Sequence, residues 1–263
     1  MASRPKPALP PPFARMAADP VRWRLLQELA RSDRRVRELV ALSGQPQNLV
    51  SYHLGQLRAS GLARARRSSF DGRDTYYHLD LPKCAEALRA AGAALHPGLR
   101  PGAAEPPPAS RGPAFCTALF LCTGNSARSQ VAEALAGVRS GGRVHASSAG
   151  SHPKPLHPNA VRVMASHDVD LTGRESKHLS AFTDQSFDYV ITLCDKVREV
   201  CPEFPGHPGY LHWSIPDPAV CVSSDEDTYP AFEMMAAELE TRIEFWLASV
   251  AAHPRMQPSR RIQ

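Results

Sequence analysis

One stretch decides the fold of the C-terminal half of the chain: Phe115-Cys116-Thr117-Ala118-Leu119-Phe120-Leu121-Cys122-Thr123-Gly124-Asn125-Ser126-Ala127-Arg128-Ser129. It begins as an apolar run of strand-forming residues, stops at Cys122 and continues as a short polar loop that leads into an amphipathic helix. A strand that passes through a glycine-containing loop into a helix makes an anion site, because backbone N–H groups converge there. A cysteine that opens such a loop, followed by an arginine six residues later, predicts covalent chemistry on a phosphate-like oxyanion.

The residues of this loop have distinct expected roles. The Arg128 guanidinium can bind two oxygens of a tetrahedral oxyanion. The Asn125 side chain is expected to fix the loop conformation, and the Ser129 hydroxyl to donate to a thiolate at Cys122. The alternative for Cys122 is a buried cysteine followed by chance by an arginine. The predicted oxyanion-binding residues are Thr123, Gly124, Asn125, Ser126, Ala127, Arg128 and Ser129.

The pattern that follows alternates strands with helices. We predict four strands, near residues 114–121, 143–149, 189–193 and 210–213, and a long final helix over about 229–250. Such alternation favours a three-layer α/β domain, a four-stranded parallel sheet covered by helices, with the active site at the carboxyl ends of the strands. Cys122, Cys194 and Asp217 each follow a predicted strand, so they could converge on one crevice.

Three further residues are candidates for chemistry. Asp217, before Pro218, could protonate a leaving oxygen as a general acid; an ordinary Asp-Pro turn is the alternative. Cys194 and Cys201 match no zinc spacing, and either alone could be a small buried apolar residue, but together with Cys122 they suggest a thiol relay. In a helix their Cα atoms would lie about 10.5 Å apart, whereas a disulfide needs roughly 4.4–6.8 Å. We therefore expect the segment to be partly looped, or to unwind on oxidation.

The N-terminal part has a different character. Residues 1–80 hold 14 Lys and Arg against 7 Asp and Glu, while the rest of the chain holds 17 against 19. The excess positive charge therefore belongs to the first domain and indicates a polyanionic partner such as DNA.

The same region carries a helix-turn-helix pattern. Asp19 and Pro20 start a first helix, a second covers about 35–42 and stops near Gly44, and a third runs from Pro46 to Gly61. Two strand-like runs follow, joined by Asp71-Gly72 as in a tight hairpin. The pattern is therefore that of a winged helix, mainly α with a β-hairpin wing. A small helical domain with a solvated polar face is the alternative. The residues expected to face DNA are Gln47, Asn48, Ser51, Tyr52, His53, Gln56 and Arg58 on the third helix and Arg66, Arg67 and Arg73 on the wing.

The run from Gln45 to Leu54, together with Gly61-Leu62, resembles the ArsR family of winged-helix repressors over about residues 13–95. This resemblance implies a homodimer that places its third helix in the major groove of an operator. Metal-sensing members often carry a cysteine pair on the helix before the recognition helix, but here that region reads Arg35-Val36-Arg37-Glu38-Leu39-Val40 and the first cysteine is Cys84. The usual arsenite or metal site is absent.

Composition supplies the domain boundaries. We predict a disordered tail over 1–12, the winged-helix domain over 13–95, a Pro-rich linker over 96–113, the α/β domain over 114–250 and a second disordered tail over 251–263. No apolar run is long enough to span a bilayer. Six unevenly spaced cysteines suit a reducing cytoplasm better than a secreted disulfide framework.

Five motifs of the second domain resemble the thioredoxin-coupled arsenate reductases, which share the low-molecular-weight tyrosine phosphatase fold. They are Cys122 to Ser129, Ser148-Ala149-Gly150, Val190 to Cys194, Cys201-Pro202, and His212 to Ala219. The resemblance implies that Cys122 attacks arsenate, Arg128 binds its oxygens and Asp217 assists loss of water. It further implies that Cys194 then attacks Cys122 and that Cys201 takes over the disulfide. Ala127 departs from the many members that have a second loop cysteine there.

The leading hypothesis is a cytoplasmic ArsR-type regulator fused to an arsenate reductase. It would use no metal or bound cofactor, and thioredoxin or a small thiol would be its reductant. Its expected partners are operator DNA, arsenate with phosphate as a competitor, and a second copy of the chain bound through the first domain. One alternative is a protein tyrosine phosphatase using Cys122, Arg128 and Asp217. Another is a regulator whose second domain only senses an oxyanion.

Overall fold

The computed structural model describes residues 9–96, 116–219 and 225–252. Two separate clusters of buried apolar side chains form the cores of two domains, one within residues 13–87 and the other within 116–250. The predicted tails and linker lie mostly outside the described residues, which leave out 1–8, 97–115, 220–224 and 253–263.

The first domain is a helix-turn-helix with a three-stranded antiparallel sheet of order β1-β3-β2. Its elements are α1 (Pro12–Ala17), α2 (Pro20–Arg31), β1 (Arg34–Arg35), α3 (Val36–Ser43), α4 (Gln47–Ala59), β2 (Ala63–Arg67), β3 (Thr75–Leu79) and α5 (Leu81–Leu95). The Asp19 carboxylate caps α2 by accepting the amides of Val21 and Arg22, both at 3.0 Å. Gly44 ends α3 at φ 66°, a left-handed conformation that favours glycine. The winged-helix fold class is confirmed.

Two small elements of the first domain were not predicted. Helix α1 contributes Phe13 and Met16 to the core of the first domain, although its start at Pro12 falls in the predicted tail. Strand β1 is only two residues long and pairs with β3, Arg34 lying opposite Tyr77.

The second domain is the predicted α/β fold, with a parallel four-stranded sheet of order β5-β4-β6-β7. Its strands are β4 (Cys116–Cys122), β5 (Val144–Gly150), β6 (Tyr189–Thr192) and β7 (Gly209–His212). Its helices are α6 (Arg128–Arg139), α7 (Pro158–Ala165), α8 (Asp195–Val200) and α9 (Asp225–Ala252), with a 3-10 helix at Leu179–Phe182. The fold class is confirmed here too.

The sheet brings the candidate residues to one edge. Cys122 is the last residue of β4, and Cys194 follows the end of β6 by two residues. Asp217 follows the end of β7 by five. Because all four strands are parallel, these ends meet at the same edge of the sheet.

The two domains contact each other along β7, the outer strand of the sheet. The amide of Asp33 donates to the carbonyl of His212 at 2.8 Å, and the amide of His212 donates to the Ser32 hydroxyl at 2.9 Å. The segment between α2 and β1 therefore covers an otherwise open sheet edge. Within the described ranges, no helix has the length and apolarity that a membrane span requires.

Candidate active site

The Cys122 sulfur lies at the centre of the loop. Its Sγ accepts a hydrogen bond from the amide of Asn125 at 3.2 Å and lies 3.0 Å from the Ser129 hydroxyl. Ser129 Oγ already accepts from the Asn125 side chain at 2.8 Å, so its own hydrogen is left to point at the sulfur. Two hydrogen-bonding groups of the loop and of α6 therefore face the sulfur.

Asn125 holds the loop in place. It is fully buried and has φ 47°, in the left-handed region that asparagine tolerates better than most residues. Its side-chain nitrogen donates to the hydroxyls of Ser129 and Ser148, both at 2.8 Å, and its oxygen accepts the amide of Lys177 at 2.7 Å. The predicted locking role of Asn125 therefore has a geometric basis in three separate segments.

Gly150 lets the loop lie against the end of β5. A Cβ at this position would lie 2.7 Å from the carbonyl oxygen of Thr123 and 2.8 Å from the amide nitrogen of Asn125. Both atoms are backbone atoms of the loop, so a larger residue would displace it. This close approach explains why a glycine closes the Ser148-Ala149-Gly150 motif.

Arg128 and Asp217 lie together beside the loop. The Arg128 guanidinium is buried and donates to the Asp217 carboxylate at 2.8 Å and to the carbonyl of Ile215 at 3.2 Å. Asp217 is 42% exposed, so one face of the pair is open to solvent. The structure thus brings the candidate acid to the candidate oxyanion ligand.

Cys194 lies against the loop, whereas Cys201 lies at the far end of α8. Cys194 Sγ is 3.2 Å from the Thr123 hydroxyl, and burial raises the pKa of its thiol despite the nearby Arg128. Helix α8 fills Asp195–Val200, with an extended cysteine on each side. The alternative of a partly looped segment is therefore wrong for these six residues, and unwinding on oxidation remains a prediction.

Two other described cysteines lie outside this cluster. Burial raises the pKa of Cys84 to about 11 and that of Cys116 to about 12. Both thiols are therefore poor nucleophiles at neutral pH. Across residues 9–96, 116–219 and 225–252, no group of three or more His, Cys, Asp or Glu side chains could hold a metal ion.

The predicted DNA-facing residues divide into three groups. Exposed are Gln47, Asn48, Ser51, Tyr52, Arg58, Arg67 and Arg73, and Gln56 is half-buried. His53 is buried, with Nε2 3.9 Å from Asp19; the expectation that it faces outward is wrong, because it packs onto the start of α2. Arg66 is half-buried and donates to the carbonyl of Ser214 in the second domain.

The family model described as "Low molecular weight phosphotyrosine protein phosphatase" matches residues 117–256, which is more than half of the chain. The chain belongs to this family. A second model, "Bacterial regulatory protein, arsR family", matches residues 19–65, so the phosphatase-family domain is fused to an ArsR-family helix-turn-helix domain.

Relatives of the phosphatase-family domain carry a more specific name. An "Arsenate reductase" of Oceanobacillus iheyensis is 34% identical over 125 residues, 48% of this chain and 90% of that protein. An "Arsenate reductase" of Bacillus licheniformis is 36% identical over 128 residues, 49% of this chain and 92% of that protein. The solved structure of an arsenate reductase from Archaeoglobus fulgidus is 27% identical, with a TM-score of 0.40, and covers 50% of this chain and 98% of that chain.

Sequence reasoning missed several contributors to the site. Lys177 and Ser176 support the loop through the oxygens of Asn125, yet they lie some fifty residues away in an irregular segment. Ile215 holds Arg128 through its backbone carbonyl. Backbone contacts of this kind do not depend on the type of residue, so the sequence pattern does not predict them.

Proposed function

We propose that this chain is a bifunctional arsenic-resistance protein, a DNA-binding regulator joined to an arsenate reductase. One observation carries the reductase half of the proposal. Cys194, a second buried thiol, lies within hydrogen-bonding distance of the loop that holds Cys122, and a third, Cys201, closes the helix that Cys194 opens. Two relatives of the second domain are named arsenate reductases, which supports arsenate as the substrate.

In the first step the Cys122 thiolate attacks arsenic and forms a sulfur–arsenic bond. Arg128 neutralises the arsenate oxygens, the loop amides bind them, and Asp217 donates a proton to the oxygen that leaves as water. The Asn125 amide and the Ser129 hydroxyl contact the sulfur and hold it in position for the attack.

In the second step the Cys194 thiolate attacks Cys122 Sγ. The electron pair of the sulfur–arsenic bond passes to arsenic, which leaves as arsenite, and a Cys122–Cys194 disulfide forms. The Cys201 thiolate then attacks Cys194 Sγ, and Cys122 departs as a thiolate. A dithiol reductant of the thioredoxin class, or a small thiol, reduces the resulting Cys194–Cys201 disulfide.

The regulator half rests on the exposed polar face of α4 and the wing arginines Arg67 and Arg73. We expect operator DNA to bind there, with a homodimer formed through the first domain; Leu88 and Leu95 of α5 are 53% and 79% exposed and suit such packing. The reducing cytoplasm is the compartment in which such a thiol cycle and DNA binding coexist.

Phosphotyrosine hydrolysis is the second candidate, favoured by the family match over residues 117–256. It would use Cys122, Arg128 and Asp217 but has no need of Cys194 or Cys201. An oxyanion sensor without turnover would need none of the thiols to react.

The test compares arsenite production by the purified chain, supplied with arsenate, thioredoxin and its reductase, with hydrolysis of p-nitrophenyl phosphate. Cys194→Ser should abolish arsenate turnover and retain ester hydrolysis. The Cys201→Ser variant should complete one arsenate turnover and then stop, and mass spectrometry should detect its Cys122–Cys194 disulfide. Cys84→Ser, which alters a buried thiol of the first domain, is the control. Unchanged arsenate turnover in the Cys194→Ser variant would contradict the thiol relay.

A further inference from the structure

Helix α8 joins the two candidate relay cysteines, and the first domain holds it from outside. The Asp195 carboxylate accepts the amide and hydroxyl of Ser69 at 2.7 and 2.9 Å. The Glu199 carboxylate accepts from Arg35 at 3.1 Å, and Arg198 donates to the buried Glu38. Three of the six residues of α8 are therefore bound to the ArsR-family domain.

The contact at Asp195 is built into the core of the second domain. Asp195 also accepts from the Ser214 hydroxyl at 2.7 Å and lies 3.1 Å from His212 Nε2. Burial alone would raise the pKa of Asp195, but these hydrogen bonds and the Ser69 amide hold it below its ordinary value. A charged Asp195 thus links the hairpin wing to β7 at the first residue of α8.

In this arrangement one arginine of the wing, Arg66, is held by the second domain instead of facing DNA. Arg66 lies on β2, and its guanidinium donates to the carbonyl of Ser214 and to the Glu238 carboxylate, the latter at 3.4 Å. Arg67, the next residue, is exposed and donates to the Gly72 carbonyl of its own hairpin. Only the first of these neighbouring arginines is held by the second domain.

A Cys194–Cys201 disulfide is incompatible with this packing. Cys194 and Cys201 flank the six residues of α8, and seven steps of helical rise separate their Cα atoms by about 10.5 Å. A disulfide bridges at most about 6.8 Å. The bond therefore requires α8 to unwind, and unwinding displaces the side chains of Asp195, Arg198 and Glu199 from their partners in the first domain.

We propose that α8 is a redox latch between the domains, and that the Cys194–Cys201 disulfide releases the wing and makes Arg66 available to DNA phosphates. The proposal rests on the thiol relay of the proposed function. The reduced protein withholds one wing arginine from DNA, and the oxidised protein presents it. By linkage, duplex DNA bound to the wing stabilises the disulfide form in return.

The experiment uses the full chain with Cys122→Ser, which removes the competing Cys122–Cys194 disulfide. Diamide takes two electrons from the two thiols and forms the disulfide, becoming the hydrazine; a phosphine returns the thiols. Binding to a fluorescent mixed-sequence 30-base-pair duplex is measured by anisotropy from low to moderate salt. The oxidised form should bind more tightly, with a salt slope steeper by about one.

Two wing variants in the same background supply the control. Arg66→Gln should remove the difference between oxidised and reduced protein. Arg67→Gln should weaken binding equally in both forms and leave the difference intact. Equal slopes in the two forms, with the disulfide verified by mass spectrometry, would overturn the latch and leave the relay standing.

A second variant tests the latch without thiol chemistry. Arg242→Leu removes the partner of the buried Asp33 at the domain contact and favours the open arrangement. Reduced Arg242→Leu should bind the duplex as the oxidised parent does; binding like the reduced parent contradicts the latch. If diamide forms no Cys194–Cys201 bond at all, the relay of the proposed function fails, and the latch fails with it.

Discussion

At Asn125 one side chain connects the oxyanion loop to two distant segments, β5 through Ser148 and the irregular chain at Lys177. The same side chain orients the Ser129 hydroxyl toward Cys122. A left-handed backbone at this position turns the amide of Asn125 toward the sulfur. The surroundings of the Cys122 sulfur therefore depend on the side chain and the backbone conformation of Asn125.

Asn125→Ala should lower both stability and thiol reactivity. It leaves the buried partners of the amide unpaired, at a cost of roughly 1–3 kcal/mol, and it frees Ser129 to turn away from Cys122. We expect a lower free energy of unfolding in urea, and a shift of the iodoacetamide alkylation rate of Cys122 to lower values at a fixed pH.

Asp168 offers a matched control for the backbone. It has φ 59° but is exposed, so Asp168→Ala tests the left-handed conformation without the hydrogen-bond network. Alkylation that shifts equally in both variants would contradict the role assigned to the Asn125 side chain.

Residue type alone predicted the positions of only some residues of the oxyanion loop and of the predicted DNA-facing surface. A strand-loop-helix motif is continuous in sequence, so it predicts the positions of Cys122, Asn125, Arg128 and Ser129. Arg66 and His53 could not be placed, because what each faces depends on packing between segments far apart in sequence. For Arg66 that segment is 148 residues away.

At the scale of elements, the ends of helices were predicted because their signals are local. The Asp19 cap and the Gly44 stop each depend on a few neighbouring residues. The tight Asp71-Gly72 turn is wrong, because seven residues, 68–74, separate β2 from β3. Helix α8 has no such signals. It is a six-residue helix, too short to be stable alone, and it is held by Ser69, Glu38 and Arg35 of the other domain.

Weakening α8 should therefore favour the disulfide. Lys196 is exposed in the first turn, and Lys196→Gly costs a helix about 1 kcal/mol relative to Lys196→Ala. The disulfide form has lost the helix, so this cost falls on the reduced form alone. The equilibrium constant for disulfide formation in a thioredoxin redox buffer should therefore be about fivefold larger for the glycine variant than for the alanine variant. Identical equilibrium constants for the glycine and alanine variants would mean that α8 stays helical in the oxidised state.

At the scale of the whole molecule, the domain contact contains the buried histidines His78 and His212. Burial lowers the pKa of His212 and of His78. The unfolded chain therefore binds more protons than the folded one once the pH falls below the ordinary histidine value of about 6.5. The free energy of unfolding should decline between pH 7.5 and 5.0, by at most about 1.4 kcal/mol per pH unit for each histidine.

Urea denaturation at the two pH values measures this decline. The depressed pKa of Asp195 adds its own loss of stability only at lower pH, below the ordinary aspartate value of about 3.9. His78→Gln should reduce the decline between pH 7.5 and 5.0, and the exposed His145→Gln should not. An equal decline in the His78 variant and the parent would assign the effect to other groups.

A buried ion pair also contributes to the domain contact. Asp33 lies between α2 and β1 and is 1% exposed, and the guanidinium of Arg242 on α9 contacts its two carboxylate oxygens at 2.7 and 3.3 Å. Asp33 also accepts the amide of Ser214 at 2.8 Å. Removing one partner of such a pair leaves a buried charge uncompensated, whereas removing both charges costs less.

Arg242→Leu should therefore reduce the free energy of unfolding by about 3–5 kcal/mol, measured in urea through tryptophan fluorescence. Asp33→Asn combined with Arg242→Leu should recover part of this loss, because asparagine can still accept from Ser214 without a charge. The exposed pair of Arg162 on α7 and Glu226 on α9, 2.7 Å apart, is the matched control, and Arg162→Leu should change the free energy of unfolding far less, because exposed ion pairs contribute little. Equal losses in Arg242→Leu and Arg162→Leu would mean that the two domains are not held together by the buried charge of Asp33.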